Sequence, residues 1–320
     1  MVKFLTVATG FSILASLVQA APRSYSSTKK SGFVFNTDPE YSVVSCDNFV
    51  YGPYSSWSCH NATAIPAYDS CCFENWGILM STQFWDFNQT LLDVVNANDS
   101  NVIDELEEYY TAIQYAQGDP RTTFTIHGLW NDLCDGSYNQ YCNSSLEISD
   151  ANDNITHVIV DTFDEPELFD TMIKYWVNNV ISNVPNGGSI SLWEHEYNKH
   201  GTCMNTLLPE CFTGEYTKFE NTVQFYKKVV EIWKTYPTYQ FLLAEGIVPT
   251  LKKQYELRDV QKALADNNDG FQVYVGCING TIDEIWYYNN LKGNVLTGEY
   301  RPIDTLTNST CPDKVWYLPK

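Results

Sequence analysis

Ten cysteines are the feature that most constrains what this chain can fold into. An even number of cysteines in an exported chain favours five disulfides, and each disulfide limits the chain to folds that bring its two cysteines into contact. Zinc binding is the alternative, but no two cysteines have the two-residue gap of a zinc knuckle. Adjacent Cys71 and Cys72 cannot easily bond to each other, so we expect them to reach different partners within one domain. The ten are Cys46, Cys59, Cys71, Cys72, Cys134, Cys142, Cys203, Cys211, Cys277 and Cys311.

The N-terminus predicts export. Lys3 precedes an apolar run that ends near Val18, and Val18-Gln19-Ala20 offers the small residues of a cleavage site. A membrane anchor is the alternative, but the run is short for a bilayer, which needs about 20 apolar residues. We therefore expect a signal peptide at 1–20, a flexible leader at 21–37, and no membrane span. The destination is the extracellular space or an acidic vacuolar or lysosome-like compartment.

Seven Asn-x-Ser/Thr sequons predict a glycoprotein. The acceptor residues are Asn61, Asn88, Asn98, Asn143, Asn154, Asn279 and Asn308.

The net charge of -20 at pH 7 argues against a nucleic-acid ligand, because nucleic acids are anionic and most proteins that bind them are basic. Two conditions remove the conflict. A few local cations can hold the ligand, or the protein can work at acidic pH, where carboxylates are partly neutral and histidine is charged. Solubility is the simpler explanation of the acidity.

Apolar periodicity predicts both strands and helices in a single domain at 38–320. Strands are predicted at 76–87, 123–126, 189–193, 271–277 and 282–288, and helices at 164–180, 221–234 and 257–265. The acidic stretch 89–117 also has a helical pattern. Because helices and strands do not alternate regularly, we expect an α+β fold with a central antiparallel sheet and flanking helices. The sequence has neither internal repeats nor a glycine-rich phosphate loop.

Two segments concentrate the chemistry. The first is Phe124-Thr125-Ile126-His127-Gly128-Leu129-Trp130, in which an imidazole follows a short strand. The second is Trp193-Glu194-His195-Glu196-Tyr197-Asn198-Lys199-His200-Gly201-Thr202-Cys203. If the second is helical, Glu196 and His200 share one face, and His195 and Lys199 share an adjacent face. A pair of cations kept at that spacing suggests an anion between them. His60 and His157 are predicted to be ordinary surface residues.

Simpler interpretations exist for both segments. His127 could be a buried core histidine with Trp130 as packing, and the second segment could be a polar surface helix. A zinc site is disfavoured, because His195 and His200 are five apart and a charged Lys199 stands at the fourth position. Together, however, the segments supply two imidazoles, further cations, a carboxylate and an aromatic plate. That set suits RNA cleavage, in which one imidazole takes the 2′-hydroxyl proton and another protonates the leaving 5′-oxygen.

Both segments resemble the two active-site signatures of the ribonuclease T2 family of acid endoribonucleases. The likeness continues through Asp132 and Cys134-Asp135-Gly136-Ser137-Tyr138, which resemble the fungal branch, and covers roughly 46–311. It implies an α+β fold and cleavage of single-stranded RNA through 2′,3′-cyclic phosphates to 3′-phosphates, with low base specificity and an acidic optimum.

The resemblance also implies residue roles and disulfide partners. It implies His200 as general base and His127 as general acid in the first step. Glu196 would assist the base or the phosphorane, and His195 and Lys199 would hold the phosphate. Trp130, Asp132 and Tyr138 would bind the base. The implied pairs are Cys46–Cys72, Cys59–Cys134, Cys71–Cys211, Cys142–Cys203 and Cys277–Cys311. Two departures stand out. Asn131 replaces a frequent proline, which is expected to alter loop stiffness, and 89–117 is expected to be a surface insertion away from the cleft.

Two other functions remain open. The chain could be a secreted glycoprotein that keeps this fold for binding or signalling, although it retains both histidines, Glu196 and Lys199. It could also be a zinc hydrolase. The sequence favours a monomeric enzyme that acts on RNA and needs no metal or other cofactor.

Overall fold

The computed structural model describes residues 41–61, 71–75, 77–113, 119–178 and 188–320, and its largest element is an antiparallel sheet. The strands of this sheet are β1 (Ile78–Phe84), β2 (Thr125–Asp132), β4 (Tyr274–Ile278), β5 (Thr281–Lys292) and β6 (Glu299–Ile303). Their order is β2-β1-β5-β4, and β6 pairs with the part of β5 beyond β4. A small separate sheet joins β3 (Tyr255–Glu256) to β7 (Lys314–Val315).

The α-helices lie mainly in the connections between the strands. They are α1 (Thr90–Ala97), α2 (Ser100–Ile113), α3 (Asp150–Asp153), α4 (Ile155–His157), α5 (Pro166–Tyr175), α6 (Ser189–Lys199), α7 (Glu220–Thr235), α8 (Thr238–Ala244) and α9 (Leu257–Asp266). A π-helical turn, Val158–Thr162, follows α4. Helices α6 and α7 both pack against β2. The α+β fold with a central antiparallel sheet is therefore confirmed.

The main core fills the space between the sheet and these helices. Every residue of β1 is buried, which places this strand in the middle of the molecule. From the sheet the core takes Leu79, Ile126, Leu129 and Ile285, and from the helices Leu192, Tyr197, Val223 and Tyr226. A smaller cluster covers the opposite face of the sheet with Ile78, Met80, Tyr274 and Tyr288. Burial on both faces explains why β1 lacks the alternating pattern of a half-exposed strand.

Five disulfides close the loops around the sheet. They join Cys46 to Cys72, Cys59 to Cys134, Cys71 to Cys211, Cys142 to Cys203 and Cys277 to Cys311. This is the pairing that the family resemblance implied, and Cys71 and Cys72 do reach different partners.

One strand prediction is wrong: 189–193 forms the first half of helix α6. The alternation of Ser189-Ile190-Ser191-Leu192 imitates a strand, but the buried residues continue with helical spacing. Leu192, Trp193, Glu196 and Tyr197 are all buried, at positions i, i+1, i+4 and i+5 of one helix. The tertiary contacts of a single helical face therefore decide the local structure here.

Other boundaries differ by smaller amounts. The helix predicted at 164–180 is α5, which ends at Tyr175, and 179–180 lie outside the described residues. The predicted strand 76–87 is Ile78–Phe84. The stretch 89–117 contains two helices, because Asn98 takes a left-handed conformation with φ 54° and breaks the run. Glu107 of α2 accepts hydrogen bonds from Thr250 Oγ1 and Leu251 N, so this helix is tied to the body of the domain.

The proposed signal peptide and leader, 1–20 and 21–37, lie outside the described residues. No helix within the described ranges is long and apolar enough to cross a membrane. His60, His157 and the seven sequon asparagines are all exposed or half-buried, as their proposed surface positions require.

Candidate active site

A β-bulge places His127 at the centre of the site. Thr82 of β1 pairs with Gly128, and the next residue, Gln83, pairs with Ile126, so His127 is the extra residue in β2. Its backbone carbonyl accepts a hydrogen bond of 2.8 Å from the Trp176 indole. The bulge therefore takes the His127 side chain out of the regular alternation of side chains along β2, while the His127 carbonyl keeps a hydrogen bond.

The His127 ring lies between two carboxylates. Its Nε2 is 3.4 Å from Glu196 Oε1, and its Nδ1 is 3.4 Å from Glu284 Oε1. Phe84 stacks on the ring, with centroids 3.9 Å apart. Burial alone would lower the pKa of His127, but Glu196 and Glu284 outweigh it and raise the pKa above its ordinary value. His127 is therefore a stable imidazolium.

Helix α6 brings Glu196 under β2. Glu196 is fully buried, and its Oε2 accepts a hydrogen bond of 2.8 Å from the Trp130 indole. Burial raises the pKa of Glu196, but the neighbouring histidines, above all His127, hold it well below its usual range. Gly128 makes the approach possible, because a Cβ at that position would overlap the Glu196 carboxylate. The absence of a side chain at Gly128 in the first segment thus leaves room for the Glu196 carboxylate of the second.

His200 follows the last turn of α6 and stacks on Trp130, with centroids 5.1 Å apart and planes 15° from parallel. It is 2% exposed, and burial lowers its pKa to about 3. Neither ring nitrogen has a hydrogen-bond partner in the described part of the chain. His200 is thus a neutral imidazole, whereas His127, which packs edge-on against the same indole at 4.8 Å, is cationic.

The three residues expected to bind a base lie together. Trp130 and Asp132 are on β2, and Tyr138 forms a β-bridge with Asp132. Lys199 Nζ is 5.9 Å from the Trp130 ring centroid and 5.7 Å from that of Tyr138. Tyr138 is 57% exposed, so its ring is open to a ligand. Burial raises the pKa of Asp132 to about 7, although Lys199 opposes that shift.

His195 lies on α6 one position before Glu196. Its Nδ1 is 3.1 Å from the Tyr141 hydroxyl. Burial lowers its pKa, Glu196 opposes the shift, and Lys199 and His127 reinforce it. His195 therefore gains its charge only at a pH below its ordinary range.

Asn131 has a different position from the one expected. It is not a loop residue, since it lies in β2, and its Nδ2 donates a hydrogen bond of 2.9 Å to the buried Glu74. Glu74 also accepts bonds from Asn205 N, Thr206 N and Thr206 Oγ1. Asn131 therefore anchors β2 to the 205–206 turn instead of altering the stiffness of a loop.

Sequence reasoning missed Glu284, Trp286 and Tyr141. Glu284 and Trp286 lie on β5, and the Trp286 ring packs against Trp130 at 5.1 Å. One signal was present: Glu284 and Trp286 are polar or amphipathic residues at alternating positions of a predicted strand. The strand order that brings them to His127 could not be derived from that pattern.

The arrangement can therefore move two protons in opposite directions. A neutral imidazole and an imidazolium pack against one indole, the buried Glu196 carboxylate lies beside the imidazolium, and His195 and Lys199 project from the same helix. A neutral imidazole and a protonated one are the forms that a general base and a general acid require.

Comparison with known proteins gives a consistent result. Residues 76–304 match the model of the ribonuclease T2 family. The Ribonuclease T2 of Aspergillus oryzae is 39% identical over 266 residues, which cover 82% of this chain and 82% of that protein. Ribonuclease Trv of Hypocrea rufa is 36% identical over 264 residues, covering 82% of this chain and 95% of that protein.

A longer relative and a solved structure also match. The Ribonuclease T2-like 1-A of Candida albicans is 39% identical over 246 residues, covering 76% of this chain but 53% of that protein, so this chain spans about half its length. The crystal structure of Actibind, described as a T2 ribonuclease, is 34% identical with a TM-score of 0.65, and the match covers 83% of this chain and 98% of that one.

Proposed function

The chain belongs to the ribonuclease T2 family, and on that premise we propose that it is a metal-independent endoribonuclease that cleaves single-stranded RNA. The observation that carries the proposal is the pair of histidines on Trp130, one neutral and one cationic, beside a buried carboxylate.

In the first step His200 is the general base. Its neutral imidazole takes the proton of the 2′-hydroxyl, and the 2′-oxygen attacks the adjacent phosphorus. The bond from phosphorus to the 5′-oxygen breaks, and His127 gives its proton to that oxygen. The products are a 2′,3′-cyclic phosphate and a free 5′-hydroxyl. The choice of base and acid follows from the opposite pKa shifts of the two rings.

The remaining residues hold charge and substrate. Lys199 and a protonated His195 stabilise the negative charge that grows on the phosphorane oxygens. Glu196 balances the imidazolium of His127 and fixes the Trp130 indole. In the second step the histidines exchange roles, and water opens the cyclic phosphate to a 3′-phosphate.

Trp130, Tyr138 and Asp132 form the proposed base pocket. The two rings offer stacking surfaces, and Asp132 can hydrogen-bond to a base edge. Stacking accepts any base, which supports low base specificity. The family and the sequence features support secretion or an acidic compartment, and the net charge of -20 supports an acidic optimum.

The deciding experiment is digestion of RNA in excess chelator. We expect full cleavage, with cyclic phosphate ends appearing before 3′-phosphates, because the 2′-hydroxyl supplies the nucleophile. DNA of the same sequence is the control and should resist. Loss of activity in chelator would favour the zinc hydrolase, and an inactive but RNA-binding protein would favour the non-enzymatic alternative.

A further inference from the structure

Glu284 contacts His127 although it belongs to neither of the two sequence segments. Its Oε1 is 3.4 Å from His127 Nδ1, and its side chain is 16% exposed. In the sheet Glu284 pairs with Phe84, whose ring stacks on His127. The same rung of the sheet therefore supplies both the surface beneath the imidazole and the carboxylate at its edge.

The second oxygen of Glu284 is also held. Oε2 accepts a hydrogen bond of 3.0 Å from the Trp286 indole. The Trp286 ring stacks on Tyr274 at 4.0 Å and packs against Trp130 at 5.1 Å, so it is itself fixed from two sides. With Oε2 bound to the indole, the carboxylate presents Oε1 to His127 and has little freedom to turn.

The charged and titratable groups around His127 come from two sides. Helix α6 presents Glu196 to Nε2, with His195, Lys199 and His200 beyond it. Strand β5 presents Glu284 to Nδ1, and Tyr274 of β4 is the titratable neighbour of Glu284. Strand β1 contributes the uncharged Phe84. Within the described ranges the ring therefore has one carboxylate at each nitrogen.

We propose that Glu284 is a positioning residue, which fixes the His127 ring through Nδ1 and keeps it cationic until Nε2 gives up its proton. The proposal rests on the general-acid role of His127 proposed above. A carboxylate at the far nitrogen of a catalytic imidazole sets both the orientation and the charge of the ring. Glu196 cannot do this alone, because it lies at Nε2, the nitrogen that must be free to face the leaving oxygen.

The test is Glu284→Gln, which removes the charge and keeps the shape. A titration of the histidine ring resonances by NMR should show the His127 pKa falling by about one unit or more. The alkaline limb of the kcat profile for RNA cleavage should move to lower pH by the same amount. The acidic limb, which belongs to His200, should stay in place. At acidic pH His127 still carries its proton, so kcat there should fall by less than the about 10²–10⁴-fold loss expected on removing a general acid.

Two further variants keep the test decisive. Glu299→Gln makes the same charge change on β6, where Glu299 faces Lys292, and should leave both limbs and the His127 pKa unchanged. Trp286→Phe removes the indole N–H that anchors Glu284 and leaves a smaller aromatic ring beside Tyr274 and Trp130. It should shift the His127 pKa in the same direction by a smaller amount. It also serves if Glu284→Gln fails to fold.

An unchanged His127 pKa with an unchanged alkaline limb would overturn the proposal. The NMR titration needs no turnover, so the two hypotheses can fail separately. If the pKa shifts but the wild-type protein does not cleave RNA, the pairing of Glu284 with His127 stands and the proposed function does not.

Discussion

At the scale of single residues, His195 and His200 lie at the same end of α6 but have different surroundings. His200 is buried against Trp130, whereas His195 is half-buried beside the Tyr141 hydroxyl.

We expect His200→Phe and His127→Phe to abolish turnover and leave RNA binding largely intact, because each removes a proton transfer. His195→Phe should mainly raise KM, with a smaller loss in kcat. Kinetics of the three variants on one dinucleotide decide this. A His195→Phe enzyme as inactive as His200→Phe, with KM unchanged, would reverse the two roles.

The pH dependence of cleavage is set by the same rings. Burial lowers the pKa of His200 to about 3, and Glu196 and Glu284 overcome burial to raise that of His127 to about 9. His200, the base, is therefore neutral above about pH 3, and His127, the acid, is protonated below about pH 9. We expect kcat to change little between these two pH values. His195 loses its charge at a lower pH than an ordinary histidine, because burial lowers its pKa. The acidic surface also repels RNA more strongly at higher pH. We therefore expect kcat/KM to peak at about pH 4–6, with the decline above it carried by KM. A peak at neutral pH in a dinucleotide assay would contradict this.

At the scale of elements, the site depends on how closely α6 approaches β2. The contact passes through Gly128, where a Cβ would overlap the Glu196 carboxylate. Gly128→Ala should displace that carboxylate from Trp130 and His127 and lower kcat by roughly 10²-fold, a loss that a displacement of about 1 Å can cause. The matched control is Gly188→Ala, since Gly188 immediately precedes α6 and has nothing within 4 Å of its Cβ position. Equal activity in the two variants would show that the approach has no catalytic importance.

The elements also show where sequence reasoning succeeds and where it stops. Glu196 and His200 were predicted from a contiguous segment whose helical spacing implies a shared face, and His127 from its place after a short strand and before Gly128 and Trp130. The wrong strand at 189–193 arose because Ser189 and Ser191 alternate with Ile190 and Leu192, as polar and apolar residues do in a half-exposed strand. Glu284 was missed for another reason. Its closeness to His127 depends on the pairing of β1 with β5, which is a tertiary contact between distant parts of the chain. Local pattern carries no information about that pairing.

At the scale of the whole molecule, the disulfides should contribute to stability according to the loops they close. Cys71–Cys211 spans 140 residues and Cys277–Cys311 spans 34. Sequence separation overstates the loop that Cys71–Cys211 closes, because the bridges Cys46–Cys72, Cys59–Cys134 and Cys142–Cys203 already connect the two ends by a much shorter path. In the chain-entropy account the two bridges should therefore stabilise the fold by similar amounts. Urea denaturation of the Cys71→Ala/Cys211→Ala and Cys277→Ala/Cys311→Ala variants measures the difference. A much larger loss for one pair would mean that native-state contacts outweigh loop closure, and free thiols in the denatured wild-type protein would show that the framework itself is incomplete.

The order of strands in the sheet also has a consequence for the timing of assembly. Strand β1 ends at Phe84, but its neighbour β5 begins only at Thr281. At about 5–20 residues per second of synthesis, roughly 10–40 seconds separate the two. During that interval β1 can pair with β2 on one edge, while its other edge is open to unwanted pairing with other chains. The newly made chain thus carries His127, Glu196 and His200 before β5 can pair with β1. His127, which is made first of the three, remains without the Glu284 carboxylate until β5 has been synthesised.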